Sequence, residues 1–186
     1  MTKRNIFLFS FILSTAVVLF SCGNNRTSSA KKTNIQSKAF QDKLVDANKM
    51  YVQRESDEID QYVRHHGWQM TTTGTGLRYM IVKKGTGVLA KPDSNSTMTV
   101  KVKFKKSLLD GTLCYSSDST GAEEFVVGQD NVESGLHEGI QYMHVGDKAV
   151  MILPSHLAFG LTGDGKRIPP KASVLYELEL VSLKTR

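Results

Sequence analysis

Residues 125–160 read FVVGQDNVESGLHEGIQYMHVGDKAVMILPSHLAFG, and this stretch decides the fold. Phe125, Val126 and Val127 predict a short strand, and Gly128 a sharp exit from it, since glycine alone enters the left-handed region freely. Val132, Leu136 and Ile140 then recur at steps of four, which suits a short helix over 132–141 with one buried stripe. Residues 149–153, AVMIL, predict a further strand, and Pro154 ends it because it carries no N–H for a ladder. Strand, short helix and strand in so few residues point to a sheet wrapped over that helix.

Working outward, the same grammar continues on both sides. Residues 77–82 (LRYMIV) read as a strand before the turn KKGTG. Met98, Val100, Val102 and Phe104 alternate with Thr97, Thr99, Lys101, Lys103 and Lys105, the two-residue period of a half-buried strand with its lysines in water. Asp110-Gly111 fits a tight hairpin. Downstream, Pro169-Pro170 marks a rigid loop outside any ladder, and VLYELELVSL over 174–183 alternates again. The expected class is α+β over residues 68–186, a twisted antiparallel sheet wrapped on one short helix.

In this order and spacing the motifs TGTGLRYMIVKKGTG, MTVKVKFKKSLLDGTLCYSS, the 125–160 core segment and RIPPKASVLYELELVSL resemble the FKBP-type peptidyl-prolyl isomerases over 74–183. The resemblance implies an FKBP-like fold with an apolar proline pocket that needs no cofactor and no metal. Carried over by position, it puts Phe104, Val132, Glu133, Phe159, Ile168 and Tyr176 in catalytic positions, with Cys114, Tyr115, Phe125 and Leu136 contacting substrate. The backbone N–H of Glu133, at the turn into the helix, is the implied donor to a substrate carbonyl. Several positions depart from the family pattern. Phe104 and Phe159 stand where tyrosines are usual, Cys114-Tyr115 replaces a phenylalanine-aspartate pair, and Leu136 and Glu123 replace aromatics. These changes keep an apolar cavity and remove side-chain hydrogen bonds, each worth about 0.5–1.5 kcal/mol.

The reaction implied is rotation about the bond preceding proline, with a barrier of about 18–20 kcal/mol from amide resonance. The expected function is assistance to the folding of exported or envelope proteins; the alternative is a non-catalytic chaperone or binding module of an envelope complex, similar to FKBP-like lipoproteins of gliding bacteria. Against these stands plain core packing for Phe104, Phe125, Phe159 and Tyr176, since aromatics at period two face inward in any sheet. Phe125 reads as core more than lining. Tyr115 either projects its hydroxyl into the cleft or covers the sheet edge, and both readings stay open.

Ahead of the domain, Lys3 and Arg4 precede an apolar run over 6–20 that ends in Leu19-Phe20-Ser21-Cys22. This reads as a lipoprotein leader over 1–21 with Cys22 as the lipidation site; acyl chains contribute roughly 0.8 kcal/mol per buried CH₂ and hold a protein on a bilayer. Residues 22–34 are polar and small and read as a flexible tether. Over 35–67, Phe40, Leu44, Ala47, Tyr51, Ile59, Tyr62 and Val63 recur at three- and four-residue steps, predicting one long or two short amphipathic helices ended near Gly67. Such a stripe packs on its own domain or makes a homodimer.

Loss of the leader lowers the net charge from +6 to +4. The remaining basic residues are scattered, which argues against nucleic acid as a partner. Proline-containing polypeptides and a membrane met through Cys22 are the expected partners. The expected placement is the cell envelope, on the outer membrane facing the periplasm. Cys114 is then the sole free thiol and reads as structural. The five histidines lack metal-ligand spacing. Asp164-Gly165 reads as a mobile loop over the pocket.

Overall fold

The computed structural model describes residues 26–93 and 96–186; the leader, Cys22 and the first residues of the expected tether lie outside them. These residues fall into two units, one reaching Val45 and the other spanning Asp46–Arg186. Helix α1 runs Arg26–His65, so it begins inside the stretch read as a tether. Nothing between Arg26 and His66 is glycine or proline, so no residue there breaks helical hydrogen bonding. It is one long helix, closed at Gly67 with φ of 64°, the left-handed end that glycine permits.

The sheet follows as β1 (Thr71–Thr72), β2 (Arg78–Lys83), β3 (Met98–Leu108), β4 (Leu113–Ser116), β5 (Glu123–Val126), β6 (Lys148–Leu153) and β7 (Val174–Thr185). Between β4 and β5 lies the one-turn α2 (Ser117–Thr120), and between β5 and β6 the helix α3 (Ser134–Ile140). All pairings are antiparallel in the order β1-β2-β6-β7-β3-β4, with β5 also on β3. The α+β architecture expected from the periodicity is therefore the one the chain adopts.

Both faces of the sheet centre are covered. On one face Ala149, Met151 and Leu153 of β6 join Val100, Val102, Leu136, Ile140 and Leu178 in the main core. Helix α3 comes so close that a Cβ at Gly139 would lie 2.4 Å from the Met151 sulfur. On the other face Val150, Ile152 and Leu175 pack with Ile59, Tyr62 and Val63 of α1 and with Trp68. This two-sided cover is why β6 is apolar from Ala149 to Leu153 instead of alternating. In the stripe on α1, Ile59 is fully buried while Phe40 and Leu44 are exposed.

Candidate functional site

At the end of the sheet where β3, β4 and β7 meet the loops after β6, an open cavity of about 520 Å³ is lined by Phe104, Lys106, Tyr115, Phe159, Asp164 and Lys166, among others. Strand parity explains Phe104 and Lys106. The inward series Met98, Val100, Val102, Phe104 reaches Lys106 next, so its side chain follows the core face. There the Lys106 ammonium pairs with Glu133 at 2.5 Å, the two side chains only 12 % and 7 % exposed. Four rings surround it, with the Phe159 and Tyr176 centroids at 4.9 and 5.0 Å and those of Tyr115 and Phe104 at 5.6 and 5.7 Å, all within cation–π reach.

Tyr176 is buried, and desolvation together with the charge of Glu133 and a hydrogen bond to it pushes its hydroxyl well above the ordinary phenol range. Glu133 is also the residue before the first turn of α3, with no side-chain cap there. Among the described residues its own backbone N–H meets no acceptor, which leaves a donor at the helix start free for a ligand.

Loop 160–170 closes one side of the cavity, and its order comes from Asp164. Oδ1 accepts from the amides of Lys166 (2.9 Å), Arg167 (2.9 Å) and Ile168 (2.8 Å), while Tyr115 donates its hydroxyl to Oδ2. Partial burial opposes the charge, but the Tyr115 hydroxyl and the three amides outweigh it and hold the carboxyl at about 2. Gly163, with φ of 69°, makes the tight turn possible; a Cβ there would sit 2.3 Å from the Ile168 carbonyl oxygen. The loop read as mobile is thus tied by four hydrogen bonds to one carboxylate, and Tyr115 directs its hydroxyl to that loop.

Helix α1 grips both ends of the β6–β7 connection that carries this loop. The buried carboxylate of Glu55 accepts from the Ser155 amide (2.7 Å), from the Ser155 hydroxyl (3.1 Å) and from the Ser173 hydroxyl (2.8 Å). One turn earlier, Tyr51 donates to the Lys171 carbonyl at 3.0 Å. Ser155 stands four residues before Phe159, and Ser173 five after Ile168.

Residues 91–181 match the family model of the FKBP-type peptidyl-prolyl cis-trans isomerases. The chain carries an FKBP-type domain over these residues. It is 40 % identical over 113 residues to FkpA of Aeromonas hydrophila, covering 61 % of this chain and 40 % of that protein. It is 32 % identical over 115 residues to the 22 kDa FKBP-type isomerase of Escherichia coli, covering 61 % and 53 %. Among solved structures it is similar to FkpA of Escherichia coli, with a TM-score of 0.60, 29 % identity, and 85 % of this chain against 70 % of that one. AtFKBP13 matches with a TM-score of 0.55 and 25 % identity over 61 % of this chain and 98 % of its own. The chain spans about two fifths to three fifths of the length of several curated relatives it matches.

Within this FKBP-type domain the ten residues singled out from sequence fall into two layers. Phe104, Tyr115 and Phe159 line the open cavity. Leu136, Ile168 and Tyr176 are almost fully buried in the main core, with Val132 packed against the same cluster, and Glu133 is held by Lys106. Phe125 is core, edge-on to His137, as its strand position implied. Cys114 is buried; burial first, then the nearby Asp164 charge, raises its thiol pKa, and an Arg167 guanidinium N–H donates to its carbonyl at 2.6 Å. Among the described residues no trio of His, Cys, Asp or Glu gathers as metal ligands.

Sequence reasoning missed Lys106 and Glu55, and placed Asp164 in a loop over the pocket without its role in ordering that loop. The signal for Lys106 was present, since it continues the even-numbered inward series. Glu55 gave none beyond its carboxylate.

Proposed function

We propose that the FKBP-type domain accelerates cis/trans rotation of peptide bonds before proline in exported or envelope polypeptides. The observation that carries this is the convergence of Phe104, Tyr115, Phe159 and Tyr176 around Lys106, whose partner Glu133 has a backbone N–H without an acceptor among the described residues. In the twisted transition state the amide loses resonance and its carbonyl loses negative charge, so a ring-lined, water-poor cleft favours it over the planar ground state. The Glu133 N–H holds a substrate carbonyl while the prolyl ring turns against the aromatic walls. No nucleophile takes part, because no bond is broken.

Exchange NMR on a proline peptide tests this with the full chain carrying Cys22→Ser. The helix must be kept, because Ile59 covers Ile152 and Val150. Phe159→Ala is expected to lower kcat/KM by about tenfold, equivalent to about 1.4 kcal/mol of transition-state contact. A folded wild-type chain without acceleration would instead favour the non-catalytic binding module. Envelope placement rests on the leader reading; labelled-palmitate incorporation that Cys22→Ser abolishes would support it, and incorporation unchanged by Cys22→Ser would refute it.

A further inference from the structure

In a cleft that is to receive an apolar ring, the centre of the aromatic cluster is taken by the chain's own cation. Lys106 Nζ lies 4.9–5.7 Å from four ring centroids and 2.5 Å from Glu133 Oε1. Lys106 lines the open cavity together with Phe104, Tyr115 and Phe159, while the fourth ring, Tyr176, is 1 % exposed and lies 5.0 Å from its ammonium. The side chain therefore fills the space among the three rings that face the cavity and the buried ring of Tyr176.

We propose that Lys106 is the specificity-determining residue of this cleft: it occupies the inner, ring-lined half of the proline site in the free protein, and a prolyl ring enters only by displacing it. The proposal rests on the reading of the cleft as a proline site and adds a selection rule to it. An ammonium among four rings and one carboxylate is held by cation–π attraction and by an ion pair with little water to weaken either. Displacement takes the cation from Glu133 and leaves it only the Tyr176 hydroxyl. Each ligand must offset that loss, so purely apolar proline sites are disfavoured relative to those that bring a donor for Glu133, such as a lysine or arginine beside the proline. Glu133 is then the second half of the rule, through its side chain as well as its amide.

The test compares the full Cys22→Ser chain with Lys106→Ala/Glu133→Gln, which empties the cluster without leaving a buried charge alone. A second variant, Lys106→Gln, keeps a donor to Glu133 and removes the cation in case the first does not fold. Peptides with Leu or Lys before proline are assayed by exchange NMR, and binding is followed on the labelled lysine side-chain resonances, where ring currents are expected to shift the Lys106 signal upfield. The expected result is a rise of about tenfold in kcat/KM for the Leu peptide relative to the Lys peptide, carried by KM, so that the wild-type preference for Lys before proline is lost. In the wild type the Lys106 resonance should return to the position of solvent lysines when peptide saturates the cleft. A wild type that isomerises peptide while its Lys106 signal stays upfield, or variants that gain nothing on the Leu peptide, would overturn the proposal and leave the isomerase reading standing. If no variant accelerates exchange, the isomerase reading falls and binding decides. Tighter Leu-peptide binding by the variants then supports the role of Lys106, and equal binding removes it.

Discussion

Strand β3 carries two lysine–glutamate pairs five residues apart, and they have little in common. Lys101 meets Glu124 at 3.1 Å with both side chains close to half exposed, whereas Lys106 meets Glu133 at 2.5 Å with both nearly buried. The chemistry is the same; the parity of the strand sends one outward and the other into the aromatic cleft. In water an ion pair exchanges hydration for a screened attraction, and the balance is close to zero. Out of water each charge depends on its partner, because a buried charge left alone has no compensation.

The most severe way to break the comparison is to take the cation from Glu133. Lys106→Ala is expected to lower unfolding free energy by about 3–5 kcal/mol in denaturant titration, and adding Glu133→Gln should recover most of it. A single-variant loss under about 1 kcal/mol would mean that water reaches Glu133 as freely as Glu124.

An intermediate case lies on the other face of the sheet. Arg78 is 5 % exposed but its partner Asp60 is 45 % exposed, at 2.9 Å. The same guanidinium donates to Ser56 Oγ and to the Gly76 carbonyl, both at 2.6 Å. Arg78→Met should destabilise by about 1–3 kcal/mol through the acceptors it abandons, and Asp60→Asn by less, since water can replace it. Equal effects from both substitutions in thermal melts would show that the pair itself, and not the buried fork, ties α1 to β2.

This contrast also marks where sequence ends as a guide. Alternation at 98–104 and 174–183, the four-residue steps of Val132, Leu136 and Ile140, and the proline and glycine breaks were local signals, and the sheet with its short helix follows them. The cover on the second face was not local. Ile59 and Ile152 meet across more than ninety residues of chain, and an apolar run such as AVMIL announces two buried faces without saying what lies on each. In the site, the rings were legible because aromatics on an inward strand face have few other places to go. Lys106 was not, because lysines at 101, 103 and 105 set an expectation of solvent that one further step reverses. Glu55 was one carboxylate among many on a polar helix; only the folded chain brings Ser155 and Ser173 to it.

A pH titration sharpens the picture at a third carboxylate, with a smaller and local effect. The Asp164 carboxyl sits at about 2, below the roughly 3.9 of an unfolded aspartate. A depressed value means that the folded loop favours the ionised form, so the stabilisation is fully present above about pH 4 and is lost as pH falls toward 2. Hydrogen exchange should show the Ile168 and Arg167 amides losing protection in that window before the sheet amides do. In Asp164→Asn the same amides should already be less protected at pH 7. Loss of protection in the loop and the sheet together would show that Asp164 reports global unfolding only.

The smallest effect is expected at the pair that started the comparison. Lys101→Ala removes a cation whose carboxylate partner is already in water, so Glu124 rehydrates at little cost and stability should change by about 0–1 kcal/mol. Raising salt should shrink even that, because exposed charges are screened over about 10 Å at 0.1 M. The same salt series applied to Lys106→Ala should leave its larger deficit nearly unchanged, since ions cannot enter between Glu133 and the rings. If the two variants respond to salt alike, parity has not separated the two lysines into different media, and the special place of Lys106 in the cleft loses its physical basis.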